Sequence, residues 1–317
     1  MICYHSFLLV HIDYDMKKIV CLLIVIILLL YFIAFPQNAL NASRQGLLLW
    51  YRQILPALLP FSILSYVVLR SNLFSILGSS RQSRISTEEW YVILCGFLFG
   101  FPIGSKLTAD LYREKRISCD RAQILCVFTN NLSPVFVTAA MQEIISIKPD
   151  LPFYLLLYGI PFLYGIILLL FKDSEDTYKQ KNTASRFQIN MQIVDAGIIN
   201  GFETLIKICG YIMMFSILTK MLQSIPWNTA FIPLFMTGCM EVTNGIAMLG
   251  QSDIAFHYKY LLALFFLSLN GICGLFQTAS VLSRTDLSMK DYCKHKLQII
   301  LLTLTGGILL LLTGRLS

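Results

Sequence analysis

Apolar runs long enough to cross a bilayer recur along nearly the whole chain, and they leave it few ways to fold. Residues 19–35, 47–69, 122–141, 151–171, 198–222, 260–282 and 297–313 form such runs. At about 1.5 Å per residue, roughly 20 apolar residues in a helix span a ~30 Å hydrocarbon core. Hydrophobic residues make up 56% of the 317 and charged residues only 14%, which is too little polar surface to coat a globule in water. A disordered chain, a collagen-like chain and a small disulfide scaffold are excluded by the same figures. The expected class is an all-α integral membrane protein, a polytopic helical bundle.

Two further apolar segments differ from the rest. Residues 90–104 are short and end in Gly100-Phe101-Pro102-Ile103-Gly104, while residues 230–249 are interrupted by Glu241, Thr243, Asn244 and Gly245. Neither offers a clean helix through the core. Both are expected to be re-entrant or broken, with their freed backbone groups buried in protein or lining a polar cavity. If both enter and leave on one side, the basic groups fall on the cytoplasmic face. These are Lys17-Lys18; Arg70, Arg81 and Arg84; Lys106 to Arg121; Lys172 to Arg186; and Arg284, Lys290, Lys294 and Lys296. The net charge of +7 therefore reports orientation. Residues 1–18 form a cytoplasmic stretch, of which 1–15 can precede a natural start at Met16. Residues 19–35 read as a cleaved signal peptide or as an uncleaved anchor, and the continuing apolar sequence favours the anchor.

The chain also repeats itself. Phe61-Ser62-Ile63-Leu64 recurs as Phe215-Ser216-Ile217-Leu218, and the stretch from Asn130 to Ala139 aligns with Asn270 to Ala279 through shared Asn, Phe, Thr and Ala. Each unit reads as helix, broken segment, helix, helix, over residues 47–171 and 197–313, with 172–196 a cytoplasmic linker. Three crossings plus a same-side hairpin is an odd number, so the second unit starts on the other side. That predicts inverted-topology repeats, an architecture of secondary transporters.

Several residues could carry chemistry within this frame. Gly100 and Gly104 permit close backbone approach, and Pro102 withholds an amide hydrogen. Free N–H groups near Ser105, with Lys106 beside them, would attract an anion; a tight packing turn with Lys106 snorkelling outward is the structural alternative. Asn130, Asn131 and Ser133 precede Pro134 and can either satisfy freed carbonyls or hydrogen-bond a ligand. Glu241 is an acid deep in an apolar segment, able to face a cavity or to pair with Lys207 or Lys220. Glu203 and Lys207, four residues apart, suit an ion pair on one helix face. Residues 107–121 suit an amphipathic helix lying on the inner membrane face.

No enzyme signature is present. The cysteines show no C-x-x-C, the histidines lack partners in a recognisable motif, and neither a metal site nor a cofactor motif can be read. Nucleic acid is not an expected partner, because no binding module accompanies the basic residues.

Four motifs in order resemble one family. Leu55-Pro56-Ala57-Leu58-Leu59-Pro60-Phe61, Gly100-Phe101-Pro102-Ile103-Gly104-Ser105-Lys106, Phe128-Thr129-Asn130-Asn131 with Ser133-Pro134, and Glu241-Val242-Thr243-Asn244-Gly245 are similar to motifs of the YlbJ-type sporulation integral membrane proteins. Ser105 replaces the Ala usual in that family. The resemblance covers residues 45–313 and implies a nucleoside-recognition (Gate) architecture related to concentrative nucleoside transporters. It also implies a role in forming resistant spores, with movement of a small anion such as dipicolinate as a family-level expectation. A solute site is then expected from Pro102, Gly104, Ser105, Lys106, Asn130, Asn131, Ser133, Glu241, Thr243, Asn244, Asn270 and Gln277. The expected partners are membrane lipid, a small-molecule solute, a coupling proton or sodium ion, and a second copy in a homo-oligomer. A non-transporting scaffold for spore assembly and a nucleoside transporter are the competing readings.

Overall fold

The computed structural model describes residues 18–19, 22–71, 73, 84–144, 150–172 and 190–313, and every regular element among them is helical. The expected start at Met16, the stretch 1–18 apart from Lys18, and most of the linker 172–196 lie outside the described residues. Helix α1 covers Leu22–Ala34 and α2 Pro36–Arg70, the latter with a π-turn at Trp50–Ile54. Next come α3 (Thr87–Phe99), α4 (Ile103–Arg113), α5 (Cys119–Phe128) and α6 (Pro134–Ala139), which runs into a π-turn at Ala140–Ile144. Helix α7 is Leu151–Phe171 and α8 is Met191–Gln223. The chain then forms α9 (Phe231–Met240), α10 (Val242–Gln251), α11 (Phe256–Leu269), α12 (Gly271–Leu282) and α13 (Met289–Leu312).

Local chemistry sets the boundaries. Pro36 and Pro134 sit in the first turns of α2 and α6, where a missing N–H costs nothing. Ser86 and Glu89 form a capping box at α3, with Ser86 N donating to Glu89 Oε2 at 2.7 Å and Glu89 N to Ser86 Oγ at 3.2 Å. Asn190 and Ser288 cap α8 and α13 in the same manner. Five helical stretches among the described residues are long and apolar enough to cross a membrane: Pro36–Arg70, Leu151–Phe171, Met191–Gln223, Phe256–Leu282 and Met289–Leu312. Large apolar side chains such as Leu163, Ile199, Ile206, Leu301 and Leu309 face outward, while Asn130, Asn270 and Lys296 are buried. That distribution suits lipid outside and polar groups inside. The protein is a multi-pass helical membrane bundle.

Both broken segments fold back on themselves. A Cβ on Gly96 would lie 3.2 Å from the Cα of Gly104, and a Cβ on Gly245 would lie 2.2 Å from the Cα of Gly238. Residues seven or eight apart in a straight helix stand roughly 10 Å or more from each other, so α3–α4 and α9–α10 are hairpins. The helices that open the two units run antiparallel. Gly197 lies against Ile63 and Tyr66, Gly201 against Leu59, the Leu205 carbonyl accepts from Trp50 Nε1 at 2.8 Å, and Gly46 lies against Ile212 and Ser216. Residue numbers rise along α8 as they fall along α2, which is what opposite orientation of two units demands of their first helices.

Two apolar cores flank the centre. One gathers Val92, Leu107, Leu125, Phe128 and Leu169, and the other Val137, Phe153, Ile246, Leu264 and Phe266. The structure corrects two expectations from sequence. Residues 107–121 do not form a surface helix: every residue from Ile103 to Leu111 is buried, because α4 is the inner arm of a hairpin, and α5 begins at Cys119 after a turn. Lys106, Arg121 and Lys296 are not loop residues exposed on one face. Arg121 forks onto the buried Glu89 at 2.5 and 2.9 Å and donates to the carbonyl of Arg84, while Lys296 lies within α13, which starts eight residues before the apolar run.

Candidate functional site

The site is built from two interruptions of helical backbone. Helix α5 ends where Thr129 Oγ1 donates to the Leu125 carbonyl at 2.6 Å and Asn131 Nδ2 to the Phe128 carbonyl at 2.6 Å. The Asn131 side chain thus meets a carbonyl that the break frees, as the low dielectric requires. Residues 130–133 are non-helical, and Ser133 restarts the helix by accepting from Phe136 N at 3.2 Å. The tip of the first hairpin seats on this break: Phe101 N donates to the Asn131 carbonyl at 2.6 Å, and Gly100, at φ +80°, packs on Ser133 N. The Phe101–Pro102 peptide at this tip is cis.

The second unit repeats the arrangement with different residues. Between α11 and α12 the chain turns through Asn270 (φ +64°) and Gly271 (φ +68°). Gly271 packs on the Met240 carbonyl at the second hairpin tip. The Glu241 carboxylate accepts from Thr243 N at 3.0 Å and Asn244 N at 2.8 Å, so it caps α10. It is paired with neither Lys207 nor Lys220. Asn244 Nδ2 reaches Thr219 on α8 at 3.3 Å, much as Lys106 Nζ on α4 reaches Ser62 on α2 at 2.8 Å.

The two breaks cross at the centre of the bundle. Asn270 Nδ2 donates to the Asn130 carbonyl at 3.0 Å, and Asn130 Nδ2 donates to Thr278 Oγ1 at 2.8 Å and Tyr292 OH at 2.7 Å. Lys296 Nζ donates to the Asn130 carbonyl at 3.2 Å and to Asn131 Oδ1 at 3.4 Å. The side-chain oxygens of Asn130 and Asn270 are buried without a partner. Each such acceptor costs on the order of 1–3 kcal/mol, and a ligand carrying N–H or O–H donors would recover it.

A small cleft of about 70 Å³ lies between α4, α8 and α12. Lys106, Arg113, Lys207 and Arg284 line it with Asp110 and Glu203, four basic groups to two acidic ones. Glu203 binds Lys207 at 2.7 Å, as the four-residue spacing predicts, and also Arg284 at 3.3 Å. Gln277 lines the cleft and holds its amide on Cys273 Sγ at 3.2 Å.

The residues expected at a solute site therefore divide into groups. Asn130, Asn131 and Asn270 meet at the crossing, and Lys106 and Gln277 share the cleft. Pro102 and Gly104 shape the first hairpin, where a Cβ on Gly104 would sit 2.3 Å from the Thr129 carbonyl oxygen. Ser105 Oγ lies 3.5 Å from the Cys126 carbonyl, so the start of α4 faces protein. Ser133 is a helix cap, and Glu241, Thr243 and Asn244 form the second tip. Sequence reading missed Ser62, Thr278, Tyr292 and Lys296. A signal for the last two was present, since Tyr292 and Lys296 stand four residues apart behind the capping Ser288 and so share a helix face.

A curated relative covers most of this chain. It is the "Sporulation integral membrane protein YlbJ" of Bacillus subtilis (strain 168), 25% identical over 307 residues, covering 82% of this chain and 74% of the relative. The chain is similar to this YlbJ protein over most of its length. No family model and no solved structure matches the chain.

Proposed function

We propose that this YlbJ-type chain moves a small carboxylate-bearing solute across a membrane of a sporulating cell by alternating access. The observation that carries this reading is the crossing, where two broken helices, each backed by a hairpin tip, meet at Asn130 and Asn270 beside the buried Lys296 amine, a donor that a carboxylate can use. Transporter sites are built at such junctions of interrupted helices near the bilayer midplane. The cleft between α4, α8 and α12 carries a surplus of positive charge, which favours an anion. Lys106 supplies charge and Gln277 and Asn130 supply amides. With the orientation set by the basic loops, the cleft opens to the cytoplasm. The name of the Bacillus subtilis relative supports the sporulation setting.

The test is counterflow of labelled dicarboxylic acids, dipicolinate included, in proteoliposomes holding the purified full chain. Wild-type protein exchanges at least one of them. Lys106→Gln and Asn130→Ala each lower exchange about tenfold or more, since a hydrogen bond to a charged group is worth roughly 1.5–3 kcal/mol. Lys290→Gln, on the exposed start of α13, leaves it unchanged. Exchange by neither wild type nor variants, or equal exchange by all, refutes the proposal.

A further inference from the structure

We infer that Lys296 is a tethered cation at the place where a transporter of this design would hold its coupling ion, and that a proton on its nitrogen couples solute movement to a gradient. The inference rests on the transport reading above and names its coupling ion. Interrupted membrane helices expose carbonyls that commonly coordinate sodium or exchange protons. Here the carbonyl of Asn130 and the side-chain oxygen of Asn131 both receive Lys296 Nζ, at 3.2 and 3.4 Å. The ammonium occupies the point at which those oxygens converge, so a metal cation has no vacancy there. Both bonds are at the long end of the hydrogen-bond range, so the group is held without being locked.

What makes this lysine distinctive is its charge balance. It is only 2% exposed, and no carboxylate among the described residues pairs with it. The buried acids among the described residues are otherwise engaged: Glu241 by the amides of Thr243 and Asn244, Glu89 by Arg121, and Asp110 by Arg113. The titratable groups nearby are Cys126 on α5, Tyr158 and Tyr164 on α7, and Tyr292, Cys293 and His295 on α13 itself. The end of α11 that meets the crossing, residues 265–269, carries no titratable side chain. None of these supplies a fixed negative charge. An unbalanced buried charge is costly, and two events relieve it: an anion binds beside it, or its proton leaves.

Those two events define a coupling. When the anionic solute sits at the crossing, the protonated amine is balanced, so solute and proton bind together. When the site faces the other side and the solute departs, one N–H bond of Lys296 breaks and its proton passes to water reaching the crossing. The amine is left neutral, and its remaining hydrogens still serve Asn130 and Asn131. One proton accompanies each solute, and the cycle needs no sodium.

Flux in proteoliposomes and stability in detergent test this separately. Wild type should accumulate the exchanged dicarboxylate when a pH gradient is imposed, equally well in sodium and in choline buffer. Lys296→Met, which carries no charge, and Lys296→Arg, which keeps its proton, should lose that accumulation. Sodium-dependent accumulation by wild type, or wild-type accumulation by either variant, overturns the inference. A second arm holds even if no solute is exchanged, the result that would sink the transport reading alone. In Lys296→Ala the converging oxygens are freed, and its Tm should rise with added sodium while the wild-type Tm does not. The same sodium response in both proteins overturns the tethered-cation assignment.

Discussion

The fit between the first hairpin and the broken helix can be measured with one methyl group. In Gly104→Ala the new Cβ would stand 2.3 Å from the Thr129 carbonyl oxygen and 2.6 Å from its Oγ1. Non-bonded heavy atoms settle at about 3.5–4.0 Å, so α4 must retreat by roughly 1 Å. Overpacking of this kind costs about 1–3 kcal/mol, and the upper end applies because the obstruction is backbone and cannot rotate away. Retreat also stretches the bond from Phe101 N to the Asn131 carbonyl, worth a further ~0.5–1.5 kcal/mol. Gly210→Ala is the internal control. It lies inside α8 with nothing within 4 Å of its would-be Cβ, and should gain about 0.8–1 kcal/mol in helix propensity. The two proteins therefore differ by roughly 4 kcal/mol, a separation of about 8 °C or more in Tm. Scanning fluorimetry of the detergent-solubilised variants reads this directly. Melting points for the two alanine variants within roughly 2 °C of one another would show that the hairpin does not seat on Thr129.

Two other predictions follow from buried groups. Arg121→Met strands Glu89 and should cost about 3–5 kcal/mol, whereas Arg121→Met with Glu89→Gln should recover more than half of it; a double variant no better than the single contradicts the pairing. Glu241→Ala removes the cap of α10 and should lower stability by about 0.5–2 kcal/mol, while Glu241→Gln keeps one acceptor and should cost less. Equal losses would mean that the side-chain oxygens do not hold those amides.

Most of the framework was legible in the sequence because the membrane imposes it locally. The short, glycine- and proline-bearing segment 90–104 and the polar-interrupted segment 230–249 both read as broken from sequence, whereas the turn at Asn270 and Gly271 lies hidden inside the apolar run 260–282. The misreadings share a cause. Charges alternating with apolar residues over 107–121 suggest a face turned to lipid headgroups, yet Asp110 and Arg113 line the cleft together with Lys106. Lys296 was assigned to a loop because hydropathy ends a helix where charges begin, although α13 continues two turns further. The contacts that define the crossing join residues such as Asn130 and Tyr292, 162 positions apart, and no local window contains both.

The long antiparallel pair α2 and α8 has a mechanical consequence. Its helices interlock from Gly197 at one end to Gly46 at the other, so sliding or rotating either would strip side chains along the full length. The hairpins are anchored differently, each at its tip and at one arm, with short connections at 114–118 and 252–255 leading to the interrupted helices. Displacing the pair disturbs contacts from end to end, and the first hairpin is tied to its neighbours as well, since Arg121 holds Glu89 of α3 and Ile103 to Leu111 of α4 are buried.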